Sequence, residues 1–134
     1  MVDTRLIGHR LPDVRARVEP GRLRTFRRTI GAADAADPVA PPTYLFALEM
    51  LESDRPLAFV EELDVDMAAV LHSEQAFTYH APIRAGDEIL LRTVVSDVFE
   101  KKGGALLFVV QDTKATNQDG RHVADVRRTL VIRN

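Results

Sequence analysis

The side chains able to do chemistry in this chain are few and scattered. The four histidines are His9, His72, His80 and His122. Asp34 and Asp37 share one loop segment, and Glu49 is the one acid in the middle of an apolar stretch. An imidazole beside a carboxylate can shuttle protons, so the question is which of these groups the fold brings together. There is no cysteine, which removes disulfides, thiol nucleophiles and thiolate metal sites. His72 and His80 stand at the two ends of one strand pattern, at an even spacing that puts them on the same side. His72 begins that strand, next to the expected start of the central helix. It is the candidate polar group at a ligand tunnel, weighed against a structural hydrogen-bonding role. His80 precedes Ala81-Pro82 and reads as a strand-end residue. His122 follows a turn and His9 lies in the N-terminal arm, and both read as exposed. No pair has metal-ligand spacing with a third ligand, so no metal is expected.

The element that must position these groups is VAPPTYLFALEMLE at 39–52. Between Thr43 and Glu52 only Thr43, Glu49 and Glu52 are polar. A helix apolar on nearly every side belongs inside a core. Pro41 and Pro42 suit its first turn, where a missing N–H costs nothing. Asp54 and Pro56 suit its end. Tyr44 is expected to pack in the core or line the tunnel. Glu49 is expected to face solvent or a dimer partner.

With 134 residues, 46% hydrophobic and 28% charged, the chain suits one globular domain over 1–134. No apolar run approaches the roughly 18 residues of a membrane span. MVDTRLIGHR lacks the apolar core of a signal peptide, so a cytoplasmic protein is expected. The net charge of −2 hides a gradient: residues 1–30 carry eight arginines against Asp3, Asp13 and Glu19, whereas 31–66 carry nine acids against Arg55 alone. Arg24, Arg27 and Arg28 are candidates for meeting phosphate, or else form the solvated face of a helix. Nucleic-acid binding is not expected, because the chain is slightly acidic and a single aromatic, Phe26, stands among the arginines.

Along the chain, residues 3–12 read as an arm and Val14 to Glu19 as a short strand. Pro20 opens a helix with an apolar stripe at Leu23, Phe26 and Ile30, capped by Gly31. Residues 32–40 form a small-residue loop. The stretch 55–70 reads as extended with a short acidic turn. From His72 the pattern is β, with turns at 85–87, 101–104 and 117–120. The architecture is α+β: a long antiparallel sheet around a central helix at about 42–52. One helix covers only part of such a sheet, so edge-to-edge pairing in a dimer is expected.

The order of these motifs resembles the hot-dog fold. More closely, it resembles the N-terminal half of MaoC-like dehydratases, the fungal fatty-acid-synthase-type dehydratase domain. The similarity lies in LIGHRLPDVRARVEPGRLRTFRRTIG at 6–31, VAPPTYLFAL at 39–48, LHSEQAFTYHAPIRAGDEI at 71–89 and GGALLFVVQDTKATNQDGRHVADVRRTLVIR at 103–133. The resemblance implies a lyase of fatty-acid metabolism that adds water reversibly across a 2-enoyl thioester. The acyl group would ride on coenzyme A or an acyl carrier protein, with no other cofactor. Pro41, Pro42, Thr43, Tyr44 and His72 would border the substrate, with the helix start polarising the thioester carbonyl. Active members of the wider hydratase family carry an Asp and a His five positions apart before the central helix. Five beyond Asp34 is Val39, and five beyond Asp37 is Pro42, so that pair is absent in its usual form. The resemblance therefore implies a half that works beside a second hot-dog chain, in a homo- or heterodimer. A self-sufficient hydratase, a thioesterase using Glu49, and a non-catalytic thioester- or carrier-binding module remain alternatives.

Overall fold

The alternating apolar pattern of the C-terminal half becomes four long strands, and a computed structural model describes residues 3–134. The strands are β1 (Val14–Arg17), β2 (Val70–Tyr79), β3 (Glu88–Lys101), β4 (Leu106–Thr116) and β5 (His122–Arg133). They form one antiparallel sheet in the order β1-β3-β4-β5-β2. Each of β2, β3 and β5 carries one extra residue in its pairing, at Ser73, Ser96 and Val123. Such bulges bend and twist a sheet, and here they help curl it. The helices are α1 (Pro20–Thr29), α2 (Tyr44–Glu52) and α3 (Ala58–Glu62). The sheet wraps around α2, the hot-dog arrangement expected. No helix of the described residues is long and apolar enough to cross a membrane.

The main core joins α2 to the sheet. Tyr44, Leu45 and Leu48 pack with Leu23 of α1, Ala16 and Val18, and Ile89, Leu91, Ala115 and Val126 of the strands. Fully burying one such aliphatic side chain contributes about 1.5–3 kcal/mol. The helix starts at Tyr44 rather than Pro42, with Thr43 as its N-cap. It is not buried all round: Leu51 is 61% exposed. In α1, Leu23 is buried and Phe26 partly so, but Ile30 falls at the C-cap and is exposed. There the stripe has run past the end of the helix. Gly31 follows at φ +79°, a conformation that favours glycine.

The stretch 55–70 departs from the extended reading. It forms α3 and a 3₁₀ turn at Met67–Ala69. Ala58 and Phe59 are buried, and Leu63, Val65 and Ala69 cover a second apolar cluster of Val95, Val98, Val109 and Ile132. This segment closes the part of the sheet that α2 does not reach. The N-terminal arm is also tied down. The Gly8 amide donates to the Val95 carbonyl and the Leu11 amide to the Thr93 carbonyl, so the arm runs along the edge of β3.

Candidate active site

Ala40, Pro41 and Pro42 lead the chain into α2. The Ala40 amide donates to the Ile83 carbonyl at 2.7 Å, which pins this lead-in to the segment after β2. The Pro41 carbonyl then accepts from the Tyr44 amide, and the Thr43 carbonyl from the Phe46 amide. The Tyr79 hydroxyl donates to the Pro42 carbonyl at 2.5 Å. Burial pushes the Tyr79 hydroxyl far above the usual tyrosine range, so it keeps its proton and its role as donor. Among the described residues, the amides of Thr43 and Leu45 meet no backbone carbonyl. Free amides at a helix start suit a developing negative charge on oxygen. The Thr43 side chain makes no capping bond and is exposed. Tyr44 turns inward, 1% exposed, with its ring edge-on to Phe26 at 5.1 Å.

Asp34 and Asp37 are not brought together as a catalytic pair. Both are exposed and each has its own arginine: Arg28 meets Asp34 at 3.1 Å and Arg84 meets Asp37 at 2.9 Å. The Arg28 guanidinium holds the Asp34 carboxyl below the usual carboxylate range. Among the described residues, no histidine is a hydrogen-bond partner of either acid. Arg27, a candidate for phosphate, instead donates to the Val39 carbonyl and the Ala33 carbonyl, each at 2.8 Å. It staples the 32–40 loop to α1, and Arg24 stays at the exposed face. Arg27→Ala is therefore expected to lower the stability of the free chain by about 1–3 kcal/mol, since hydrogen bonds from a charged donor are worth roughly that much. Arg24→Ala is expected to stay within about 0.5 kcal/mol, as for most surface changes. Urea unfolding without any phosphate ligand checks both.

His72 and His80 lie on opposite sides of the sheet, contrary to the even-spacing expectation. The extra residue at Ser73 shifts the register, so that His72 pairs with Leu130 while Glu74 pairs with Thr129. His72 thereby joins Gln75, Phe77 and Tyr79 on the face that meets α2. Its ring lies 5.3 Å from that of Phe46, one turn into the helix, and it is exposed. His80 points outward, where its Nε2 meets Asp125 at 2.7 Å, and His122 meets the same carboxylate at 2.7 Å. His9 is partly buried rather than free, with Nε2 2.6 Å from the Glu62 carboxylate.

Glu49 is turned away from solvent. It accepts from Arg128 at 2.6 Å, with the two side chains 15% and 7% exposed. The Arg128 guanidinium lies 5.2 Å from the centre of the Phe46 ring and donates to the Gln75 side-chain oxygen at 3.3 Å. Gln75, Arg128 and Gln111 are cross-strand neighbours, so a polar row crosses the sheet beneath α2. Both polar atoms of the Gln111 amide and the Gln75 amide nitrogen are buried without a hydrogen-bond partner. The signal for Arg128 was present in the strand: it shares a face with Val126 and Leu130, so it had to point inward. Tyr79 and the glutamines carried no comparable signal.

A five-stranded antiparallel sheet curled around one helix is the hot-dog fold of MaoC-like dehydratases. Residues 5–126 match the family described as FAS1-like, dehydratase domain region, and the chain belongs to it. A UPF0336 protein of Clavibacter michiganensis subsp. michiganensis is 31% identical, over 91% of this chain and 95% of that one. A UPF0336 protein of Saccharopolyspora erythraea is 36% identical, over 76% of this chain and 64% of the relative. Among solved structures, the C-terminally truncated HadBC (3R-hydroxyacyl-ACP dehydratase) complex of Mycobacterium tuberculosis is similar at 26% identity and a TM-score of 0.75. That match covers 94% of this chain and 96% of that one.

Proposed function

We propose that this chain is the non-catalytic half of an (R)-specific enoyl-thioester hydratase, or 3-hydroxyacyl-thioester dehydratase, of MaoC type. One observation carries the reading: the helix start keeps free amides at Thr43 and Leu45, while Asp34 and Asp37 are bonded to arginines and to no histidine. The chain holds an acyl thioester and orients its carbonyl; the partner supplies the Asp–His pair that activates water. Thr43 and His72 are exposed, and β2 is an edge strand with one side unpaired. A second hot-dog chain along that edge would enclose them. The solved neighbour named above is itself a complex, which supports a heterodimer. The thioester is carried on coenzyme A or an acyl carrier protein, and the protein works in the cytoplasm as one domain. The thioesterase reading loses support because Arg128 occupies the Glu49 carboxylate.

The test is hydration of crotonyl-CoA, followed by loss of enoyl absorbance. The chain alone is expected to run near the buffer rate. Addition of a co-purifying hot-dog partner with the Asp–His pair is expected to raise the rate at least about 100-fold, the low end of what general acid–base groups supply. Turnover at ordinary enzyme rates by the chain alone would overturn the reading.

A further inference from the structure

One bulge decides what stands on the outer face of the sheet, away from α2. Asp125 and His122 are three apart, a spacing that places residues on opposite sides of a regular strand. The extra residue at Val123 cancels this: Ala115 pairs with Ala124, but Thr116 pairs with His122. His122 therefore shares the outer face with Asp125. His80, just past the end of β2, is fixed beside them by its amide, which donates to the Val123 carbonyl at 2.8 Å. The two imidazole rings lie 4.6 Å apart. Each Nε2 meets a different oxygen of Asp125 at 2.7 Å.

We propose that His80, His122 and Asp125 form a binding site for a divalent transition-metal ion of the zinc class. Their ligating atoms all lie within 4.8 Å of one another. Zinc sits about 2.0–2.2 Å from imidazole nitrogen and carboxylate oxygen, so small side-chain rotations make room for it. Two imidazoles and one carboxylate suit zinc, cobalt, nickel or copper rather than calcium or magnesium, which prefer all-oxygen shells. Both histidines need only move the ring proton to Nδ1 to turn Nε2 lone pairs on the ion. The backbone on three sides is strand or strand-bonded, so the donors arrive on a rigid frame. The bound ion would clip the segment after β2 to the start of β5, with its remaining positions open to water. Lys114 opposes it: as the cross-strand partner of Asp125, it shares this face and brings a positive charge.

The experiment is titration of untagged, chelator-treated protein with Co²⁺, read by its visible absorption, and with Zn²⁺ by calorimetry. The expected result is saturable binding of one ion per chain and a rise in melting temperature with Zn²⁺. His80→Ala and His122→Ala should each weaken binding by at least about tenfold, since loss of even an outer-shell partner costs roughly 10–100-fold. Lys114→Gln should strengthen it, and His9→Ala should leave it unchanged. Circular dichroism of the metal-free variants checks that they fold. No saturable binding by the folded wild-type chain, or equal affinity in the folded His80→Ala and His122→Ala variants, would overturn the assignment.

Discussion

Replacing Arg128 with leucine is expected to cost the chain about 3–5 kcal/mol, the range for breaking a buried ion pair from one side. Arg128 is 6% exposed, and its guanidinium meets Glu49 at 2.6 Å while lying against Phe46. Without it, the Glu49 carboxylate is left inside the helix–sheet interface with no counter-charge. A domain of this size has a total stability of about 5–15 kcal/mol, so the loss is a large share of the whole. Urea unfolding followed by circular dichroism measures it. The paired change Glu49→Leu with Arg128→Leu should recover most of the loss, because both desolvation costs then vanish together. An Arg128→Leu variant within about 1 kcal/mol of wild type would mean that the pair does not anchor α2. The same experiment bears on chemistry. On the function proposed above, hydrolysis of acyl-CoA should not depend on the Glu49 carboxylate.

The second large effect separates the two faces of α2. Leu48→Ala should cost about 2–5 kcal/mol, since Leu48 is 1% exposed at the centre of the main core and its truncation leaves a cavity. Leu51→Ala should stay within about 0.5 kcal/mol, because Leu51 is 61% exposed and loses little on truncation. Both changes shorten the same residue type on the same helix, so propensity differences cancel. Thermal or urea unfolding of the two variants side by side checks the contrast. Equal costs would mean that α2 is enclosed on every side, as its composition alone suggested.

Much of the frame was legible because it depends on local pattern. Apolar alternation, glycine turns and the Pro20 helix start are written into neighbouring residues, and β3, β4 and β5 appear close to their expected limits. The same patterns misread 55–70. There Leu63, Val65 and Ala69 are arranged to cover a distant cluster, and the reason for their spacing lies in strands many residues away. The candidate site was legible where it is continuous, at Pro41 to Tyr44. It was not legible where it depends on partners: Tyr79 on the Pro42 carbonyl, Arg27 on the 32–40 loop, Arg128 on Glu49.

By itself the sequence determined the class of protein: an apolar helix, a long antiparallel sheet to wrap it, and no histidine five positions beyond Asp34 or Asp37. The direction in which the histidines face came from the pairing of distant strands. A strand alternates sides residue by residue, so one extra residue reverses every side chain beyond it. Ser73 sends His72 toward α2 and away from His80; Val123 sets His122 beside Asp125. Where a bulge falls depends on register against the neighbouring strand, and that information is shared between segments far apart in the chain.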